Sequence, residues 1–158
     1  MPDSQVNEQF RHSALTKDII GTFYEVYNEL GYGFLESVYE NSLCIELRDR
    51  GYEVFQRIAI PVLFRGRQVG DFYADILVNK LILLELKTAR SIDQAHIEQL
   101  LNYLKATQIE VGLLLNFGPK PEFKRVTFGN DRKIPASENP LSDPFLSASS
   151  ASSAVKFD

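Results

Sequence analysis

Six residues, Ile82-Leu83-Leu84-Glu85-Leu86-Lys87, constrain this chain more than any other stretch. Strand side chains alternate between faces, so Ile82, Leu84 and Leu86 share one face while Leu81, Leu83, Glu85 and Lys87 share the other. A strand apolar on both faces belongs in the middle of a sheet, covered on both sides. An acid and a base therefore end one face of a buried strand, where an unpaired charge is costly and needs a reason.

The flanking sequence supplies the rest of an α/β domain. Asn79-Lys80 reads as a tight turn that folds Gln68 to Val78 back beside this strand. Regular alternation then puts Phe72, Ala74, Ile76 and Val78 on one face, and Asp71, Tyr73, Asp75 and Leu77 on the other, so that Asp75 can approach Glu85. Tyr52 to Phe64, interrupted by Pro61, adds a further strand through a turn at Arg65-Gly66-Arg67, which makes an antiparallel meander. Two helices come first. Ile19, Phe23, Val26, Tyr27 and Leu30 recur at helical spacing within Leu15 to Leu30, ended by Gly31; Leu35, Val38, Tyr39, Leu43 and Leu47 do so within Phe34 to Arg50, closed by Gly51. Ser91 and Asp93 offer N-cap chemistry for a third helix reaching about Ala106. Val111 to Asn116 is an apolar run expected as a buried strand, and Phe123 to Phe128 adds an edge strand. The predicted fold is a mixed central sheet, a meander plus a strand after a crossover helix, flanked by α-helices.

The chain has 158 residues, enough for one domain with a core. We expect that domain over residues 1–133, with 1–12 flexible. Pro135, Pro140 and Pro144 precede a Ser/Ala stretch from Ser147 to Ala154, so 134–158 is expected as a disordered, low-complexity tail. At 44% hydrophobic and 24% charged the composition is that of an ordinary globular protein, which argues against a disordered chain. Cys44, the single cysteine, fits a reducing compartment. No run approaches the roughly 18 apolar residues of a membrane span and Met1 to Phe10 has no apolar signal core, so the expectation is cytoplasmic with no membrane partner. Net charge is −4, which weighs against nucleic acid as a partner. The distribution softens this: residues 1–50 carry 4 basic and 9 acidic side chains, residues 51–133 carry 12 and 9.

Two neighbouring carboxylates such as Asp75 and Glu85 resolve their repulsion by sharing a proton or binding a cation. Oxygen ligands suit Mg2+ or Mn2+, and an ammonium such as Lys87 can orient a metal-acidified water or stabilise charge on a transferring phosphoryl group. The plain alternative is a solvated Asp75 and a surface Glu85/Lys87 pair, which the apolar strand disfavours. His96, Gln99 and Tyr103 line one face of the third helix; Gln99 can bond a phosphate, a base edge or a water, or be a surface amide, while Tyr103 can be core and His96 can satisfy a local hydrogen bond. Glu36 and Tyr39 lie on the inner stripe of the second helix, where a carboxylate is either paired, liganding, or a first-turn acid worth about 0.3–1 kcal/mol to the helix.

These residues resemble a known family. Gly33-Phe34-Leu35-Glu36-Ser37-Val38-Tyr39 is similar to the motif naming the GxxExxY family, a branch of the PD-(D/E)xK nuclease superfamily. Ala74-Asp75 followed by Glu85-Leu86-Lys87 resembles the superfamily's split signature, with Ala74 in the place of its proline. Gln99-Leu100-Leu101-Asn102-Tyr103 resembles the Gln-x-x-x-Tyr motif of its RecB-like members, and four weak motifs in one order make a specific match. The resemblance spans about residues 15–130 and implies a restriction-endonuclease-like core. It implies a metal held by Glu36, Asp75, Glu85 and the carbonyl of Leu86, with Lys87 placing the nucleophilic water and Gln99 and Tyr103 completing the catalytic set.

The function expected is a Mg2+- or Mn2+-dependent nuclease that hydrolyses DNA, with RNA second, by metal-activated water. The alternative is a catalytically silent nucleic-acid-binding or regulatory protein that keeps the fold, favoured by the acidic net charge. A hydrolase of smaller phosphate compounds is a third reading. Homo-oligomers or a protein partner are compatible with all three.

Overall fold

Two tight turns set the topology. Arg65 and Gly66 have φ of 50° and 75°, and Asn79 and Lys80 have φ of 52° and 56°. Paired positive φ values give the twist that joins adjacent antiparallel strands. They link β1 (Val54–Phe64), β2 (Arg67–Val78) and β3 (Ile82–Lys87) into the expected meander. The structure, a computed structural model, describes residues 12–133; the segments 1–11 and 134–158, which include the expected tail, lie outside the described residues.

Before the meander run α1 (Ser13–Leu30) and α2 (Glu36–Asp49); after it come α3 (Gln94–Lys105), β4 (Val111–Phe117), β5 (Pro121–Thr127) and a 3-10 turn at Asn130–Arg132. The sheet order is β1-β2-β3-β4-β5. Only β3 and β4 are parallel, with Glu85 beside Leu114 and Lys87 beside Asn116, and α3 is their crossover. The other neighbours are antiparallel, so the sheet is mixed as expected. Pro61 sits in β1, at the sheet edge, where a missing N–H costs no ladder bond on the open side.

β3 is covered on both faces, as its sequence requires. Ile82, Leu84 and Leu86 pack with Ile19, Phe23 and Val26 of α1 and Tyr39, Leu43 and Leu47 of α2. Leu83 packs with Leu100, Tyr103 and Leu104 of α3. Burying each such aliphatic side chain is worth roughly 1.5–3 kcal/mol, so this double cover fixes the α/β/α layering. α3 lies close because Gly112 in β4 leaves room: a Cβ there would stand 2.9 Å from Leu100 side-chain atoms. Among the described residues no helix is long and apolar enough to cross a membrane.

Two local expectations are corrected. The second helix begins at Glu36 rather than Phe34, because Leu35 is extended and the Phe34 N–H is drawn out of helical register to the Tyr39 hydroxyl at 3.2 Å. The regular alternation of β2 also breaks. Ile76 and Val78 face α1 and α2, yet Ala74 joins the α3 layer and the Phe72 ring lies 5.5 Å from that of Tyr103. In β1 the same switch separates Val54 from Ile58 and Ile60. Both changes occur where Arg57, with φ 56°, falls opposite Asp75, between the pairs Gln56↔Ile76 and Ile58↔Ala74. A left-handed residue inside a strand re-aims the side chains beyond it, so the outer hairpin turns its other face to α3.

Candidate functional site

The break at Asp75 coincides with the end of the β2/β3 ladder, whose last pair is Ile76↔Leu84. Beyond it the strands are bridged by carboxylates. The Asp75 N–H donates to Glu85 Oε1 at 3.1 Å, and the Leu86 N–H donates to Asp75 Oδ2 at 2.7 Å. Buried backbone amides need partners, and here two acidic side chains supply them while remaining at the open end of a buried strand. Glu85 is only 3% exposed. Lys87 Nζ stands 3.9 Å from Glu85 Oε2.

α2 brings further acids to the same point. Tyr39 is fully buried, stacked on Phe117 at 4.3 Å, and its hydroxyl donates to the Gly31 carbonyl while accepting from Phe34. This tyrosine clamps the turn before α2 and so sets where the helix starts, which puts Glu36 on its first turn. One turn later comes Glu40, absent from the sequence-based site. It lies close enough to Asp75 for each carboxyl to shift the other's protonation, and it accepts from Gln56 Nε2 at 3.0 Å. Its signal was available: Glu36 and Glu40 lie four apart and so share a helix face.

The electrostatics show how closely these groups are gathered. Burial, then the nearby Asp75, push the Glu36 carboxyl above its usual range, and Lys87 offsets part of this. Glu40 is pushed up to about 7, by burial first and by Asp75 second. Burial raises Asp75, against the opposing pull of the Leu86 N–H and Lys87. Glu85 is raised by burial and by Asp75. Four acids thus share one ammonium, and without another positive charge they tend to keep protons.

On the α3 side, Gln99 Nε2 donates to the Tyr103 hydroxyl at 2.8 Å. Burial, then Glu85, push the Tyr103 phenol up to about 12, so it stays neutral beside the acids. Glu36, Asp75, Glu85, Lys87 and Tyr103 therefore come together, and Gln99 joins through Tyr103. His96 does not: its Nδ1 accepts from the Asp93 N–H at 3.3 Å as half of a capping box at the start of α3. Also outside the sequence-based set, fully buried Asn116 accepts from Ala89 N–H at 2.9 Å and donates to Ala89 C=O at 3.0 Å. The side chain continues the ladder past Lys87 and holds the end of β3. Gly118 lets this segment approach, since a Cβ there would lie 2.3 Å from the Ala89 carbonyl oxygen.

Oxygen donors, buried negative charge and a single ammonium are the chemistry that takes a hard divalent cation. Among the described residues no three carboxylate, imidazole or thiol groups converge as in a closed metal cage. A magnesium-type ion asks for less, one or two carboxylates with water filling the remaining positions. Asp75 and Glu85 fit that requirement, with Glu36 and Glu40 beside them.

A family model of the PD-(D/E)XK nuclease superfamily matches residues 13–126. The chain belongs to this superfamily. The match takes in both strands of the acidic pair and all three helices, and the mixed sheet with helices on both faces is its restriction-endonuclease-like core. PD-(D/E)XK nucleases generally use divalent metal ions. No curated protein matches the chain closely enough to count as a relative. Among solved structures the chain is similar to the crystal structure of SSO0001, at 21% identity and a TM-score of 0.47, covering 75% of this chain and 61% of that one. It is also similar to Hjc, a Holliday junction resolvase from Archaeoglobus fulgidus, at 19% identity and a TM-score of 0.36, covering 72% of this chain and 98% of that one. The chain thus spans under two thirds of SSO0001.

Proposed function

We propose that this protein is a divalent-metal-dependent nuclease acting on DNA first and RNA second, of the GxxExxY type and RecB-like in its Gln99/Tyr103 motif. The observation that carries it is the bridge at the splayed strand ends, where the Asp75 N–H donates to Glu85 and the Leu86 N–H donates to Asp75, beside Lys87. Glu36, Asp75, Glu85 and the Leu86 carbonyl would hold Mg2+ or Mn2+. Such an ion supplies charge neutralisation at a phosphoryl group and acidifies water.

The chain's own groups do the rest. Asp75 and Glu85, held by each other's strands, are pre-oriented and need no reorganisation before reaction. The Lys87 ammonium, kept on the acidic face by β3 and by the Asn116 brace beyond it, orients the attacking water and stabilises charge at the phosphate. Gln99, fixed by Tyr103, offers its amide to a phosphate oxygen. Glu40, raised to about 7 by burial and by Asp75, would ionise more readily if a bound cation neutralised the acids beside it. We place the protein in the cytoplasm, as one domain over residues 1–133.

A second reading, a nucleic-acid-binding protein without turnover, is favoured by the net charge of −4. Calorimetric titration with Mg2+ and Mn2+, followed by incubation with single- and double-stranded DNA and RNA in metal or chelator, separates the two. The nuclease reading expects metal binding and metal-dependent cleavage. Nucleic-acid binding with no metal uptake would leave only the second.

A further inference from the structure

Away from the acids, a cleft of about 680 Å³ opens between the outer β1–β2 hairpin and the C-terminal half of α3. Its hairpin wall carries Phe64 and Phe72, 59% and 43% exposed, and Arg65, whose guanidinium lies 4.9 Å over the Phe64 ring. The opposite wall presents Asn102 and Lys105 from α3. None of the described residues lining it is acidic. Lys133 also lines it, but its ammonium is committed to the Thr107 and Ile109 carbonyls at 2.8 and 2.7 Å. The hairpin repeats the pairing outside the cleft, with Arg57 at 4.8 Å over the ring of Tyr73, which is 40% exposed.

The cleft is tied to the acidic site by one ring contact. Phe72 lies 5.5 Å from Tyr103, whose hydroxyl is held by Gln99 and whose phenol feels Glu85 and Asp75. This wall exists because of the irregularity at Arg57, which turns Phe72 toward α3. A chain that is acidic overall thus presents, one ring contact from its acids, a stretch with cations and exposed aromatic rings. Cations track phosphates, and rings stack on base faces; in a duplex those faces are hidden in the stack.

We propose that this cleft and hairpin hold an unpaired segment of nucleic acid leading into the acidic site, with bases stacked on Phe64 and Phe72 and phosphates held by Arg65 and Lys105. The inference rests on the nuclease reading and names its substrate class as single strands or unpaired ends and flaps. A duplex keeps its base faces in the stack, whereas each exposed ring suits any unstacked base.

Fluorescence anisotropy in chelator tests this without turnover, using the full chain with a labelled single-stranded DNA, the matching RNA and a blunt duplex. Wild type is expected to bind the single strands at least ten-fold tighter than the duplex. Phe64→Ala should weaken single-strand binding by roughly ten-fold, the scale of one lost stacking contact. Lys105→Glu, at an exposed helix position, should weaken it and flatten its salt dependence. Equal affinity for duplex and single strands overturns the proposal, as does unchanged binding in both variants. Variants that alter the oligomeric state by light scattering while binding stays constant also overturn it, and mark the patch as a contact between copies. Cleavage of nucleic acid with unaffected binding in the variants removes this inference and leaves the nuclease reading. Single-strand binding lost in the variants, with no cleavage of any substrate, does the reverse.

Discussion

Glu40 offers the most informative perturbation of the acidic centre, because Glu40→Gln copies its proton-carrying form. The glutamine keeps a neutral polar group beside Asp75, and its carbonyl can still accept from Gln56 Nε2. Glu40 is raised from 4.5 to about 7 in the folded protein, chiefly by burial. A carboxyl raised on folding binds more protons folded than unfolded between those two values, so it contributes stability below the lower one and loses it as pH rises through the window. At 1.36 kcal/mol for each unit, the full shift corresponds to about 3 kcal/mol. Glu40 is only partly buried, and solvent screening brings the expected loss to about 1–2 kcal/mol. Urea unfolding in chelator should find wild type and Glu40→Gln within about 0.5 kcal/mol of each other at pH 4.5. By pH 8 the variant should be the more stable by about 1–2 kcal/mol. Mn2+ should narrow that gap at pH 8 by favouring the ionised acids. A variant less stable than wild type by the same amount at both pH values would refute the reasoning, since Glu40 would then act only as a neutral packing group.

Four further outcomes follow from the geometry. Asn116→Ala strands the Ala89 N–H and C=O and should cost about 2 kcal/mol in urea unfolding, with a loss of cleavage larger than the loss of folded protein explains. Gly112→Ala meets fully buried Leu100 and should lower stability by about 1–3 kcal/mol; Gly118→Ala, which meets a backbone oxygen, should cost at least as much in the same assay. Tyr39→Phe removes the hydroxyl that joins Gly31 to Phe34 and should cost about 1 kcal/mol, read as faster amide exchange in residues 31–36.

The sheet was legible because its signals are local. A continuous apolar run, two tight turns and a crossover helix marked the three strands of the meander and their parallel neighbour, and the expected alternation put Asp75 within reach of Glu85. The site was legible in so far as it lies on that ladder or repeats helical spacing. Glu40 escaped because an acid one helical turn after Glu36 reads equally well as a solvated helix residue, and only the fold sets it beside Asp75. Asn116 escaped because a polar residue at the end of an apolar run looks like a boundary, whereas its role depends on a contact 27 residues back in the chain. Least legible was the switch at Arg57. A left-handed arginine has no local signal comparable to glycine or asparagine, and it is this residue that re-aims Ala74 and Phe72 toward α3.

The central claim, that the splayed ends of β2 and β3 hold a metal-dependent phosphodiester-cleaving centre, is tested most directly by single-turnover cleavage of end-labelled DNA in Mn2+. Asp75→Ala and Lys87→Ala are compared with wild type after each is shown to be folded. The account predicts cleavage by wild type that chelator stops, and a fall on the order of 10²-fold or more in each variant. Cleavage that persists undiminished in both variants would contradict it.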